Sequence, residues 1–411
     1  MVKQPHALAA ALVMVVSGSM HLAAESRTSV DLSSVLGVTR ISGEAVASAL
    51  TTGKLDISAA SNPNVRGELQ LRATIGNAAA GSGAAVTVPR AYLKVRLPWF
   101  RFMIGKSRVS FGRGFFFDAG DVIFGGAGLA VTDLSASVLR DDTTWLLETY
   151  LPLGNFSYLE GVLLPYLGAG GVFGSPASTS LATDLTQVLT PVNWRNLSGG
   201  GRAVFRLAGV DMEAGYLFSG TSGVHLPYLA AAGSLGVDWY LAASATVPVS
   251  EADWPNLGER LAFSAGLFHL FRLSGDASIA GRIEGLVLPG GRWERASGGI
   301  TPSTLPAVVV SGGTAAWPSA STVTSTFTSR YGLYLFPELD YSPSQALSLQ
   351  LRSIVSPIDA SATLIAGTGW NVYQGLTLSG YLYAMLGADD ATFGWNQPGG
   401  IGAAVGAELV F

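Results

Sequence analysis

From Arg90 to Leu97 the sequence changes character at every residue: Arg90, Tyr92, Lys94 and Arg96 alternate with Ala91, Leu93, Val95 and Leu97. Residues two apart share one face of an extended strand, whereas a helix groups residues three and four apart. A faultless alternation therefore specifies a β-strand with one polar and one apolar side. Glu68 to Ile75 repeats the pattern, with Glu68, Gln70, Arg72 and Thr74 as the polar set. Arg202 to Leu207, Asp211 to Phe218, Gly281 to Glu284 and Leu347 to Arg352 follow it less strictly. Helical periodicity is scarce.

A soluble β-sandwich also alternates, but it needs charge in quantity on its solvent side. Here only 13% of 411 residues are charged, 48% are hydrophobic and 52 are Gly. The usual charged share is about 25%. Low charge with this apolar content excludes a disordered chain. The absence of Cys excludes a disulfide framework, a thiolate zinc site and a cysteine nucleophile. A net charge of −4 with a pI near 5.6 gives no support to a nucleic-acid partner. No metal site is indicated with four His, and no organic cofactor is implied. The long uncharged runs, Gly161 to Thr183 and Gly298 to Ser329, are broken by Pro, Gly and Ser/Thr and read as loops.

Alternation with little charge fits an apolar solvent outside and a polar interior. That is an all-β fold, a transmembrane antiparallel up-and-down β-barrel, with strands of about 9–11 residues. Short turns are expected at Asn62–Asn64, Pro98–Trp99, Pro152–Asn155, Ala208–Gly209, Leu235–Gly236, Ser274–Gly275, Ser342–Ser344 and Asn371–Gln374. Longer loops are expected at 76–87, 108–143, 167–198, 219–225, 248–259, 288–329, 357–359 and 387–399. Short and long alternate, which gives 16 strands from Val65 to Phe411. Gly53 to Ser61 and Val38 to Ala49 add two, so the range is 16–18 strands with 18 favoured; 131–140 is a candidate further strand. Trp145, Tyr150, Tyr158, Tyr166, Trp239 and Tyr240 fall near strand ends, where aromatic girdles sit.

The N-terminus has its own logic. Lys3 supplies a positive start, Ala7 to Val16 an apolar core and Ser17 to Ala24 a small-residue exit. Residues 1–24 read as a secretory signal peptide, leaving 25–411 as a single barrel domain.

Gly105-Lys106-Ser107, then Phe111-Gly112-Arg113-Gly114, then Asp118-Ala119-Gly120-Asp121, resembles a motif of porin-like bacterial outer-membrane proteins. There a strand ending G-R-Q is followed by W-G-x-G and an N-P-x-D turn. Lys106-Ser107, Phe111 and Asp118-Ala119 depart from it, and the match spans only 105–121. The chain ends Val405-Gly406-Ala407-Glu408-Leu409-Val410-Phe411, which resembles the C-terminal assembly signal of such barrels. The resemblance implies an outer-membrane location, contact with outer-membrane lipid, recognition of Phe411 by the barrel assembly machinery, and passage of small solutes. Single barrels and trimers share these strand patterns.

Charge is segregated. Between Val65 and Arg113 stand nine basic residues, with Glu68 as the only acid, so the stretch carries +8 while the rest of the mature chain carries −13. Arg72, Arg90, Lys94, Arg96 and Arg101 share the polar side of consecutive strands, roughly 5 Å apart across strands. With Arg202 and Arg206 they are the expected pore-lining set, and a basic wall favours anions. The competing reading is an interior network neutralised by Glu68, Asp211, Glu213 and Glu284. Gly112 and Gly114 permit a sharp bend after which Arg113, Phe115, Asp118 and Asp121 would fold inward as a constriction. An ordinary outer loop is the alternative. Catalysis finds no support: His225 lies in a loop context, and His269 shares its face with Phe263, Leu267 and Phe271. The expectation is a passive channel for small solutes with anion preference; the alternative is a loop-plugged surface barrel or adhesin.

Overall fold

The computed structural model describes residues 25–41, 44–78, 81–124, 143–165, 196–249, 258, 260–295, 331–389, 391–395 and 400–411. The expected signal peptide 1–24 and the candidate strand 131–140 lie outside them, as does most of the expected loops 167–198 and 288–329. The strands are β1 (Glu25–Ile41), β2 (Glu44–Asn62), β3 (Val65–Ala78), β4 (Gly81–Arg96), β5 (Arg101–Ser107) and β6 (Thr144–Pro152). Next come β7 (Tyr158–Leu164), β8 (Ser198–Leu207), β9 (Val210–Ser219), β10 (Val224–Ser234), β11 (Asp238–Ala245) and β12 (Val247–Pro248). The last are β13 (Leu261–Arg272), β14 (Ser278–Val287), β15 (Leu333–Ser342), β16 (Leu347–Ser356), β17 (Ser361–Tyr373), β18 (Leu376–Leu386) and β19 (Ile401–Val410).

Consecutive strands pair antiparallel around the sheet, and β1 pairs with both β2 and β19. The seam runs in register from Asp31 opposite Val410 to Thr39 opposite Gly402. The two-residue β12 continues the line of β11 against β10, so the wall is a closed barrel of 18 strands. Closure leaves no sheet edge, the condition for a sheet to cross hydrocarbon.

The apolar side faces outward. On β3, Gln70, Arg72 and Thr74 are buried inside while Leu69 and Ile75 are exposed outside. On β13, Ala262 and Ser264 point in, and Phe263, Leu267 and Phe271 point out, with His269 on the outer face stacked edge-on to Phe271. An exterior of exposed Leu, Ile and Phe on a closed barrel belongs in lipid.

The expected short turns fall where the strands reverse, but the first hairpins differ. Residues 76–87 are not a loop: β3 runs to Ala78 and β4 starts at Gly81. Gly, Ala and Ser there signal a loop by composition, yet small side chains also let two arms pair closely. Val38 to Ala49 is not one strand but straddles the β1–β2 reversal, where Ile41 opposes Glu44. The first four strands have 14 to 19 residues, longer than the bilayer requires. The reversal expected at 219–225 is confined to the residues between Ser219 and Val224. The expected loop at 357–359 is short in the structure too: β16 ends at Ser356 and β17 begins at Ser361, with Ala360 at φ 53. Opposite Leu71 the β3–β4 ladder slips, because Val88 and Pro89 form a bulge. Proline has no N–H for the ladder, so a bulge is where a strand tolerates it.

Candidate functional site

After β5 the chain turns into the barrel instead of leaving it. Val109, Phe111, Phe116 and Phe117 are buried, and the segment 108–124 meets inward-facing side chains far around the wall. The backbone N–H groups of Phe115, Phe116 and Phe117 donate to the Glu284 carboxylate on β14 at 3.2, 2.8 and 2.8 Å. Three successive N–H groups converging on one anion form a nest, with an internal carboxylate as its occupant. The Gly112 N–H donates to Glu213 on β9 at 2.9 Å, and the Ala119 N–H donates to Ser264 Oγ on β13 at 2.9 Å. Tyr240 on β11 donates to the Phe117 carbonyl at 2.7 Å, and Phe116 stacks on Phe336 of β15 at 4.1 Å.

The local turn is built by Asp118. Its buried carboxylate accepts from Gly114 N and Gly120 N at 2.9 Å each. Gly112 has φ +79, and a Cβ there would collide with that carboxylate. A Cβ on Gly114 would strike the Phe117 carbonyl. Asp121 accepts from Phe124 N at 3.4 Å. Arg113 lies 3.4 Å from Glu213, and the Arg282 guanidinium sits 3.5 Å from the centre of the Phe115 ring. Arg282 also reaches Glu338 at 3.1 Å, and Glu338 holds Arg352 at 2.5 Å, so a charge chain crosses β14, β15 and β16 behind the segment. Sequence reasoning had no way to find Ser264, Tyr240, Glu338 and Arg352 as partners. Ser264, Glu338 and Arg352 show only as inward positions on alternating strands, and Tyr240, expected in the outer aromatic girdle, is instead buried inside the barrel where its hydroxyl reaches the Phe117 carbonyl.

A second segment folds in beside the first. Asp359, in the turn after β16, accepts from Thr392 N and Thr392 Oγ1 at 2.6 Å and from Ser361 Oγ at 2.7 Å. This clasp brings Phe393 into the same apolar cluster as Phe116, Phe117 and Phe336.

The basic residues divide into two kinds. Arg202 is held by Glu160 at 2.9 Å, by Glu213 at 3.1 Å and by the Ser110 carbonyl at 2.9 Å. Arg206 is held by Asp211 through two hydrogen bonds of 2.5 and 2.9 Å. Arg90 lies 3.8 Å from Glu68, which also binds Arg66 and Tyr92, and Arg72 is buried on the inner face of β3. Lys94 and Arg96 are exposed on the inner face of β4, and Arg101 stands opposite Arg96 with its guanidinium 5.0 Å from the Tyr150 ring centre. Among the described residues no carboxylate lies within ion-pair distance of Lys94, Arg96 or Arg101. Glu213 and Glu284, which could have neutralised the basic wall, are engaged by the inserted segment. Below that segment, on the short-turn side, lies a cavity of about 460 Å³ bordered by Arg113, Phe115, Arg206, Asp211, Arg282 and Glu284.

No protein-family model matches the chain, and neither does any curated protein. Solved structures do. OccK2 (OpdF) of Pseudomonas aeruginosa, in complex with glucuronate, aligns over 94% of this chain and 98% of its own, with TM-score 0.53 and 10% identity. OccAB3 of Acinetobacter baumannii aligns over 94% and 99%, with TM-score 0.50 and 9% identity. The fold is that of bacterial outer-membrane porins. A triple mutant of the Rhodopseudomonas blastica porin also aligns, over 94% and 100%, with TM-score 0.44 and 11% identity.

Proposed function

We propose that this barrel is an outer-membrane channel for passive diffusion of small solutes, with segment 108–124 as its constriction and a preference for anions. The observation that carries the selectivity is the unequal use of charge. Carboxylates on β7, β9 and β14 are spent on Arg202, Arg113 and the backbone of the segment, whereas Lys94 and Arg96 remain exposed, and Arg101 half-buried, on the inner wall. A basic wall without direct ion pairs raises the local concentration of anions within a Debye length, with Glu148 and Glu160 offsetting Lys94 in part. Arg72 and Arg90, the latter paired with Glu68, continue the basic face toward the segment, and Arg202 and Arg206 mark its paired border. Export through a leader at 1–24 and recognition of Phe411 by the barrel assembly machinery belong to the same reading. Phe411 supports it by its place: its backbone pairs with Val30 at the seam, and its side chain is exposed.

A second reading has its own observation. Thr52, Gln70, Arg72, Thr74 and Thr87 face inward yet are buried, which favours an interior filled by loops and a surface-structural role. Single-channel recording in planar bilayers separates the two. Discrete ohmic steps are the result expected of the channel, and a silent, folded barrel is the result expected of the plug.

A further inference from the structure

The described short turns of the barrel run between two extremes, with those after β13 and β17, which carry the exposed Leu273 and Tyr373, between them. Those at 62–64 and 343–346 are built of Asn, Pro, Ser, Gln and Ala. From β4 to β11 the turns instead carry large apolar side chains at or beside their tips. Trp99 is 80% exposed, Leu153 58%, Phe156 59%, Leu207 63% and Leu235 87%. These turns are consecutive around the rim, so the exposed side chains form an arc and not scattered singles, and such a contiguous apolar patch marks an interaction surface.

The backbone of the arc is already satisfied. Leu97 N donates to the Phe100 carbonyl at 2.8 Å, Leu153 N to Ser157 at 2.8 Å, and Leu235 N to Val237 at 3.1 Å. Ala208 and Gly209, at φ 51 and 84, close the turn between β8 and β9 in two residues. Turns closed this tightly leave few N–H and C=O groups calling for water, which is the condition for backbone to lie at membrane depth. The arc is also continuous with the lipid-facing wall. Leu207 follows exposed Phe205 on the outer face of β8, and Leu235 follows Leu229 beyond the end of β10. On the opposite side β1 begins with Glu25-Ser26-Arg27-Thr28-Ser29, before the level where Phe411 pairs with Val30.

We infer that the short turns from β4 to β11 are a lipid-docking surface, seated within the adjacent phospholipid leaflet, while the turns at 62–64 and 343–346 stand in water. The occupant is lipid because the apolar side chains at the turn tips continue the exposed apolar side of the lipid-facing wall, Leu207 after Phe205 and Leu235 after Leu229. The inference is independent of whether the lumen conducts.

The chain has no Cys, so single-cysteine variants carry one label each. Trp99→Cys, Leu207→Cys and Leu235→Cys, with Asn64→Cys and Ser344→Cys as references, are spin-labelled in the full barrel reconstituted into phosphatidylglycerol–phosphatidylethanolamine vesicles. Collision with oxygen is compared with collision with a water-soluble nickel chelate. The expected result is oxygen-dominated relaxation at 99, 207 and 235 and nickel-dominated relaxation at 64 and 344. Nickel-dominated relaxation at all five positions overturns the inference, including the case in which a soluble protein is the true occupant. Leu153→Cys is an independent replacement should one variant fail to assemble, with heat-modifiable gel migration reporting the folded barrel.

Discussion

Two walls of the same barrel carry basic side chains and use them differently. Across β7 to β9 and β14 to β16, every described arginine is locked: Arg202 between Glu160 and Glu213, Arg206 on Asp211, Arg282 and Arg352 on Glu338. Across β4 and β5, Lys94, Arg96 and Arg101 face the interior with no carboxylate in ion-pair contact among the described residues, although Lys94 feels the more distant charges of Glu148 on β6 and Glu160 on β7. Inward charge in this barrel serves two ends. Charge satisfied by charge fixes an inserted segment, and charge left in water shapes the field that a solute meets.

Removing an anchor from the locked wall has the largest expected effect. Glu284→Ala leaves three N–H groups without their acceptor and Arg282 with one fewer anion. Losing one partner of a buried charged cluster costs about 3–5 kcal/mol. The expected outcome is a lowered thermal unfolding midpoint, read by heat-modifiable gel migration, together with noisier and larger current steps as the segment loosens. An unchanged midpoint would mean the segment is held by its aromatic packing alone. Glu284→Gln keeps one acceptor oxygen and should fall between the two.

Next in size is the orientation on which the comparison depends. Leu71→Arg puts a charge on the lipid side of β3 and should destabilise the folded barrel by about 2–4 kcal/mol, measured by urea unfolding in vesicles. Thr52→Ser, on the inner face opposite Thr74, should change it by less than about 0.5 kcal/mol. The reverse order would mean the faces are assigned wrongly.

Much of this was legible in the sequence. The alternation at Glu68–Ile75 and Arg90–Leu97 identifies which side chains share a face, because a strand has a period of two whatever surrounds it. Turn chemistry at Ala208–Gly209 and Leu235–Gly236 marks reversals for a local reason, the positive φ at Gly209 and Gly236. The β3–β4 hairpin was hidden because Gly81-Ser82-Gly83-Ala84-Ala85 is loop-like in composition, and its pairing depends on the neighbouring strand. The partners of segment 108–124 were hidden for a stronger reason. Glu284 and Phe116 are 168 residues apart, and only closure of the barrel brings them together. Gly112, Gly114 and Asp118 stood out as a bend; which wall the bend meets did not.

The open wall should bear charge reversal that the locked wall would not. Arg96→Glu and, separately, Arg101→Gln are each expected to leave stability within about 0.5 kcal/mol of the parent. A large loss of stability would reveal ion pairs at these positions and erase the distinction between the walls. The smallest expected effect is of salt. Any selectivity from this wall should fade between 0.1 M and 1 M KCl as the Debye length falls from about 10 Å to about 3 Å, seen as a reversal potential shrinking toward zero at matched gradients.

The most direct test of the channel account is the reversal potential of one conducting barrel in a planar bilayer under a KCl gradient at low salt, compared with that of the Lys94→Glu, Arg96→Glu, Arg101→Glu triple variant. The account predicts an anion-selective potential for the parent and a shift toward cation selectivity in the variant, with conductance retained. An equal reversal potential in the two folded proteins would contradict it.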